Sequence, residues 1–231
     1  MFLQQFFHQT ATDIKVSAEQ GSQFAKQISN DFNPIHDVDS RRFCVPGDLL
    51  FALVLNQCGL SQQMSFNFLG LVPADRELIF PKSAASELLL KDSRDKVYLQ
   101  VRRAGDSLND QAVIEHLIRS YVQFSGQNFP YILVPLMQEQ QVMINPARPL
   151  VMYQSMSLNL DHLDLQRPTV NLVDASLNVE GKRGSVELQF SINDGDRVVG
   201  CGAKQLVLSG LREYQQQAVD QMIADYRARQ G

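Results

Sequence analysis

Between residues 31 and 36 the chain reads Asp31-Phe32-Asn33-Pro34-Ile35-His36, a carboxylate, an amide and an imidazole within one short stretch. A carboxylate and an imidazole are well suited to exchanging protons with a bound water near neutral pH. Converging from one loop, Asp31 and His36 could hold such a water between them, with Asn33 shaping the loop or fixing the orientation of the imidazole. The same residues also suit a plain turn, in which Asp31 caps, Pro34 punctuates and His36 packs nearby. Pro34 pushes Asn33 toward extended backbone, so the hexad is a shaped loop and not a helix.

Two helices must position this loop. Ser17-Ala18-Glu19-Gln20 reads as a capping box that opens a helix with Phe24, Ala25 and Ile28 on one face. That helix should stop near Asn30, a residue that tolerates left-handed backbone. After the polar stretch 37–44, Pro46-Gly47-Asp48 leads into Leu49-Leu50-Phe51-Ala52-Leu53-Val54-Leu55, which ends near Cys58-Gly59. A helix apolar on every side has no face for water and must be wrapped by the rest of the chain. Asp48 is expected as its N-cap.

The remaining pattern is mainly β. Residues 2–7 suit a short strand or docking arm, and 14–16 a brief strand. Strands are expected at 64–71, 77–80, 87–90 and 97–103, and 113–124 is also read as a strand because Tyr121-Val122-Gln123-Phe124 favours β structure. Pro130, Pro135, Pro146 and Pro149 mark 129–150 as a linker or crossover. Strands then follow at 152–160, 170–179, 186–192 and 198–208, the last two forming a hairpin around Asn193-Asp194-Gly195-Asp196. Gly200 and Gly202 suggest close packing or a bulge within the final strand. Leu211, Tyr214, Ala218, Met222 and Tyr226 give 211–227 one apolar stripe, expected to dock on the sheet. An antiparallel sheet curling around one buried helix is the simplest arrangement.

Composition narrows the function classes. The formal net charge of −4 lacks the basic footprint of a nucleic-acid binder. No apolar run is long enough for a membrane span, and the N-terminus lacks the basic flank and cleavage site of a signal peptide. Cys44, Cys58 and Cys201 are widely separated and expected as buried thiols, which fits a cytoplasmic protein. His8, His116 and His162 have no ligand spacing, so neither a metal nor a cofactor is expected. Arg41-Arg42 and Arg102-Arg103 could meet a pantetheine phosphate or an acidic carrier protein.

The stretch FAKQISNDFNPIH resembles the motif of the MaoC-like (R)-specific enoyl-thioester hydratases and dehydratases, in which a Ser-Gly-Asp helix end precedes x-Asn-Pro-Ile/Leu-His. Ser29, Asp31, Asn33, Pro34, Ile35 and His36 match in order and spacing, and Gly47 stands where the family's His-Gly-Met step enters the central helix. The match covers about residues 14–60, with a looser strand order to about 125. The resemblance implies an α+β hotdog fold, here a double hotdog: residues 1–128 as the motif-bearing hotdog, 129–150 as linker, and 151–231 as a degenerate second half with a C-terminal amphipathic helix. A double hotdog in one chain would mimic the usual dimer of single ones, and a homodimer of this chain stays open. The implied activity is hydration of an enoyl thioester or dehydration of a 3-hydroxyacyl thioester, carried on CoA or an acyl-carrier protein. Asp31 and His36 would be catalytic, and Asn33, Pro46, Gly47 and Asp48 would bind substrate, Gly47 at the oxyanion site.

The chain departs from the family pattern at three points. Asn30 replaces the family glycine, the segment between His36 and Gly47 is short, and Pro46-Gly47-Asp48 replaces His-Gly-Met. Pro46 removes one backbone donor, and an Asp48 cap would occupy the N–H groups that a thioester oxygen needs. These departures support an alternative, a catalytically inactive hotdog binding an acyl ligand or a protein partner. A hotdog thioesterase is a lesser option.

Overall fold

The computed structural model describes residues 2–10, 13–81 and 85–230. A 3-10 turn at Phe2–Phe6 precedes β1 (His8–Gln9), β2 (Asp13–Lys15) and α1 (Ala18–Gln27). Next come α2 (Gly47–Cys58), β3 (Leu60–Phe68), β4 (Leu78–Ile79), β5 (Glu87–Lys91) and β6 (Val97–Leu108). The middle of the chain is helical, with α3 (Gln111–Gly126), α4 (Asn128–Tyr131) and α5 (Leu133–Glu139) leading to β7 (Val142–Met143). Four long strands, β8 (Val151–Leu160), β9 (Pro168–Glu180), β10 (Arg183–Asp194) and β11 (Arg197–Ser209), are followed by β12 (Arg212–Glu213) and α6 (Gln216–Ala228).

Among the described residues, ten strands form one sheet in the order β1-β2-β4-β5-β6-β3-β8-β11-β10-β9, and every neighbouring pair is antiparallel. The seam is β3 against β8, with Phe66 opposite Met156. Outward from it the order is β3-β6-β5-β4 on one side and β8-β11-β10-β9 on the other, so the same path is traced twice. α2 precedes β3, and α3 precedes β8 through two short helices and β7. This is an α+β hotdog fold in double form.

The sequence of α2 dictates its place. Leu49 through Leu55 are all buried, and each of the Leu, Phe and Val side chains among them contributes roughly 1.5–3 kcal/mol when withdrawn from water. The enclosing core takes Phe66 and Leu99 from the first half and Met156 and Phe190 from the second. Phe51 packs against Phe66 at 5.2 Å between ring centres and against Tyr121 at 4.6 Å, which fixes α2 between β3 and α3. A smaller core lies under α5 and α6 and includes Leu133, Met137, Leu188 and Val219.

Several elements differ from the sequence expectation. Residues 113–124 belong to α3, not to a strand. Val113, Ile114, Leu117, Ile118, Tyr121 and Val122 are the buried residues, at helical spacing, and burial of that face outweighs the β preference of the last few. The C-terminal helix begins at Gln216 instead of 211: Leu211 enters the smaller core from a turn, and Arg212 and Glu213 pair with β7. The segment 129–150 carries α4, α5 and β7. Residues 2–6 form a 3-10 turn whose Leu3 and Phe6 are buried. Of the three thiols only Cys44 is fully buried; Cys58 is half-buried and Cys201 is exposed, on the outward side of β11. The close packing around its neighbours is as expected, since a Cβ on Gly202 would stand 2.3 Å from the Phe190 ring. Among the described residues no helix is long and apolar enough to cross a membrane.

Candidate active site

The loop carrying Asp31 and His36 is held at both ends. The capping box forms in full, with Ser17 Oγ accepting from the Gln20 N–H at 3.2 Å and Gln20 Oε1 accepting from the Ser17 N–H at 3.0 Å. α1 then unwinds through Asn30, whose φ of 55° is the left-handed geometry expected there. The Asp31 N–H donates to the Ala25 carbonyl at 2.8 Å and closes the turn. Gly126, at the end of α3, comes so near that a Cβ would sit 1.7 Å from the Ser29 carbonyl oxygen. α6 adds a third support, because the Tyr226 hydroxyl donates to the Asn30 carbonyl at 3.1 Å and its ring packs edge-on against Phe32.

Within the loop each polar group has one role. Asp31 Oδ1 accepts from the Asn33 N–H at 2.9 Å, and Asn33 Oδ1 accepts from the Ile35 N–H at 3.2 Å. Asn33 therefore caps a 3-10 turn spanning Pro34–His36 and sets the direction of the imidazole. His36 Nδ1 lies 2.9 Å from the Cys44 carbonyl oxygen, which can only accept, so Nδ1 carries the proton and Nε2 is left facing the loop. Nε2 stands 3.7 Å from Asp31 Oδ2, wide for direct contact and suited to two groups that share a small bound molecule. His36 is buried and Asp31 is partly open.

The helix entry corrects one expectation. Pro46, not Asp48, is the N-cap of α2, and no side chain caps the helix. Asp48 is the second helical residue, and its carboxylate turns away from the helix end to accept from Ser125 Oγ, with O–O distances of 2.6 and 2.7 Å. The Leu49 and Leu50 N–H groups donate to the Pro46 carbonyl, whereas those of Gly47 and Asp48 have no acceptor among the described residues. The first turn of a helix presents such donors with a partial positive charge. Gly47 fits closely here: a Cβ would stand 2.8 Å from Tyr153 and 3.3 Å from Phe68.

Residues from the second half complete the site. Lys204 Nζ donates to Ser125 Oγ and lies 4.3 Å from the centre of the Tyr153 ring, and the Tyr153 and Tyr121 hydroxyls are hydrogen-bonded. Asp48, Ser125 and Lys204 are all buried. Burial raises the Asp48 carboxyl above its ordinary pKa, opposed by the Lys204 charge and the Ser125 hydroxyl. Burial likewise lowers Lys204, opposed by Asp48 and then Asp31. The tyrosines are pushed upward by burial, Tyr121 next by the Asp48 charge and Tyr153 next by Tyr121. No reading of the sequence singled out Ser125, Tyr153 or Lys204. For Lys204 a signal existed: in β11 it shares the inward register with the buried Leu206 and Leu208.

Most of these groups, though not Tyr121, line one cavity of about 550 Å³. Asp31, His36 and the α2 entry stand on it together with Ser125, Tyr153 and Lys204; Asn33 and Pro46 line it as well. The two arginine pairs behave differently. Arg103 donates to the Cys58 carbonyl at 2.6 Å and to Ser107 Oγ at 2.7 Å, and Arg102 pairs with Glu87 at 3.4 Å, while Arg41 and Arg42 are exposed. Among the described residues no group of three or more His, Cys, Asp or Glu side chains could hold a metal ion.

Residues 1–217 match the model of a family described as Protein of unknown function (DUF3581). The chain belongs to that family. Comparison with curated proteins gives no match. Among solved structures, an acyl-CoA thioesterase II TesB2 from Mycobacterium marinum is similar at 11% identity, covering 93% of this chain and 100% of its own with a TM-score of 0.45. A tesB protein from Mycobacterium avium subs paratuberculosis gives 6% identity, 89% and 96% coverage and a TM-score of 0.45. A MaoC-like dehydratase gives 8% identity, 87% and 97% coverage and a TM-score of 0.41.

Proposed function

We propose that this protein acts on acyl thioesters as a hydro-lyase, adding water to a 2-enoyl thioester or removing it from a 3-hydroxyacyl thioester. The observation that carries this reading is the approach of Asp31 Oδ2 and His36 Nε2 to 3.7 Å on a cavity that also contains the uncapped start of α2. A water between two acceptors donates one hydrogen to each, which points its oxygen lone pairs away from both and toward a bound substrate. As that oxygen bonds to C3, one of the pair takes the proton, and the C2–C3 electrons move onto the thioester oxygen. The Gly47 and Asp48 N–H groups are placed to stabilise that oxygen, an interaction commonly supplying about 2.7–4 kcal/mol per donor. Return of a proton to C2 from the same pair completes the addition.

The alternative of an inactive binding protein rests on Pro46, which lacks a backbone donor, on the short 36–47 segment and on Asp48 at the helix entry. Asp48 accepts from Ser125 and does not cap the helix, which removes one of those grounds and supports the hydro-lyase reading. Arg41 and Arg42, exposed on the segment beside the loop, are the proposed contacts for the phosphate of CoA or of a carrier-bound pantetheine. The test is incubation of the full chain with trans-2-enoyl-CoA of several chain lengths. Loss of the enoyl absorbance with formation of the 3-hydroxyacyl product is expected, and no turnover at any chain length would contradict the reading.

A further inference from the structure

The Asp31–His36 pair and the start of α2 leave one reactive cluster in the cavity unused. Asp48 from α2, Ser125 from α3 and Lys204 from β11 meet there although they lie far apart in sequence. Their hydrogen bonds run in one direction, from Lys204 Nζ to Ser125 Oγ and from Ser125 Oγ to Asp48. The serine is fixed in place, since the adjoining Gly126 is locked against the Ser29 backbone. A stabilising role alone explains this poorly, because burying a carboxyl and an amine carries a desolvation cost that apolar residues of equal volume would not. The cluster also faces a cavity and not a filled core.

The arrangement has elements of covalent catalysis: a hydroxyl within hydrogen-bond reach of an amine, with Asp48 holding the hydroxyl from its other side and the Tyr153 ring beneath the amine. Burial disfavours the charged forms of both Lys204 and Asp48, which favours passing the Lys204 proton through Ser125 to Asp48. With its proton passed along that path, Lys204 would be a free amine beside the serine hydroxyl, the pairing used by Ser-Lys hydrolases. The unpaired Gly47 and Asp48 N–H groups lie at the head of the helix that carries Asp48, where they can receive an oxyanion.

We propose that Ser125 is a nucleophile with Lys204 as its base, and that the cavity cleaves acyl thioesters through an acyl-serine. Ser125 Oγ bonds to the thioester carbonyl carbon as its proton passes to Lys204. The C–S bond then breaks, and the departing thiolate takes the proton from Lys204. A water next attacks the serine ester, giving one proton to Lys204, which returns it to Ser125 Oγ as the carboxylic acid leaves. This reaction needs no double bond and stands independently of the Asp31–His36 reading.

The deciding experiment uses saturated probes, acetyl-, hexanoyl- and decanoyl-CoA, which cannot be hydrated. Full-length protein is followed for thiol release and, after rapid acid quench, for an acyl adduct by peptide mass mapping. The expected result is thiol release with the acyl mass on the peptide containing Ser125, and Ser125→Ala lowering release by about 100-fold or more. Mapping the adduct on the unsubstituted chain keeps the test valid even if Ser125→Ala fails to fold. No release, release unchanged in Ser125→Ala, or release with no Ser125 adduct would each overturn the proposal. Hydration of enoyl probes, measured separately, affects none of these outcomes.

Discussion

The two long internal helices occupy matching places in a repeated fold, yet they use opposite ends. At α3 the N-terminus is closed by Asp110, whose Oδ1 accepts from the Ala112 N–H at 2.9 Å and from the Val113 N–H at 3.3 Å. At α2 no side chain caps the entry, and the first two N–H groups remain without acceptors among the described residues. α3 instead sends its C-terminal turn to the cavity, where Ser125 reaches Asp48 and Gly126 presses on the Asp31 loop. One helix end is thus kept for structure while its counterpart stays available for chemistry. A sheet that traces the same strand path twice can in this way build a single site from unlike parts of its two halves.

This contrast can be broken at several points. The largest effect on stability is expected at Gly126→Ala, where the new Cβ meets backbone and not a movable side chain; a loss of about 3 kcal/mol should appear in denaturant unfolding. Gly47→Ala pushes against the Tyr153 and Phe68 rings, which can yield, so about 1–3 kcal/mol is expected, with a fall in enoyl-CoA turnover larger than its stability loss explains. Asp110→Ala removes the α3 cap and should cost about 1 kcal/mol while turnover stays unchanged. Equal losses of turnover in the Gly47 and Asp110 variants would erase the distinction between the two helix ends.

A smaller effect separates the thiols. Burial, and next the Asp31 charge, push the Cys44 pKa up to about 12. Its folded value lies above the unfolded value of about 8.5, so this group's contribution to stability is complete below about pH 8.5 and is lost as the pH rises toward 12. Near pH 8, alkylation should label Cys201 first and leave Cys44 unmodified until the chain unfolds, with mass mapping as the readout.

Much of the first half could be read from residue types. A seven-residue apolar run leaves a helix no solvent face, Ser17 and Gln20 announce the α1 cap, and Asn30 announces the left-handed exit. Those signals are local. The strand reading of 113–124 failed because it set the β preference of Tyr121-Val122-Gln123-Phe124 above a length and an apolar spacing that suit a helix, and that face packs against α2 and β9. Asp48 reads as a cap in isolation, because the hydroxyl that captures it lies at Ser125, itself bonded by Lys204, far along the chain. The second half of the site is built by tertiary contacts, and of its members only Lys204 left a trace in the strand alternation.

The central claim is that Asp31 and His36 act as a proton-transfer pair on a water. The most direct measurement is kcat/KM for trans-2-enoyl-CoA hydration in Asp31→Asn beside the unsubstituted chain, with melting temperatures recorded for both. Asn33 and Ile35 keep their local bonds in this variant, so the loop should hold its shape while the carboxylate is lost. The account predicts a loss of about 100- to 10,000-fold with a melting temperature close to that of the parent. Undiminished hydration in a folded Asp31→Asn protein would contradict it.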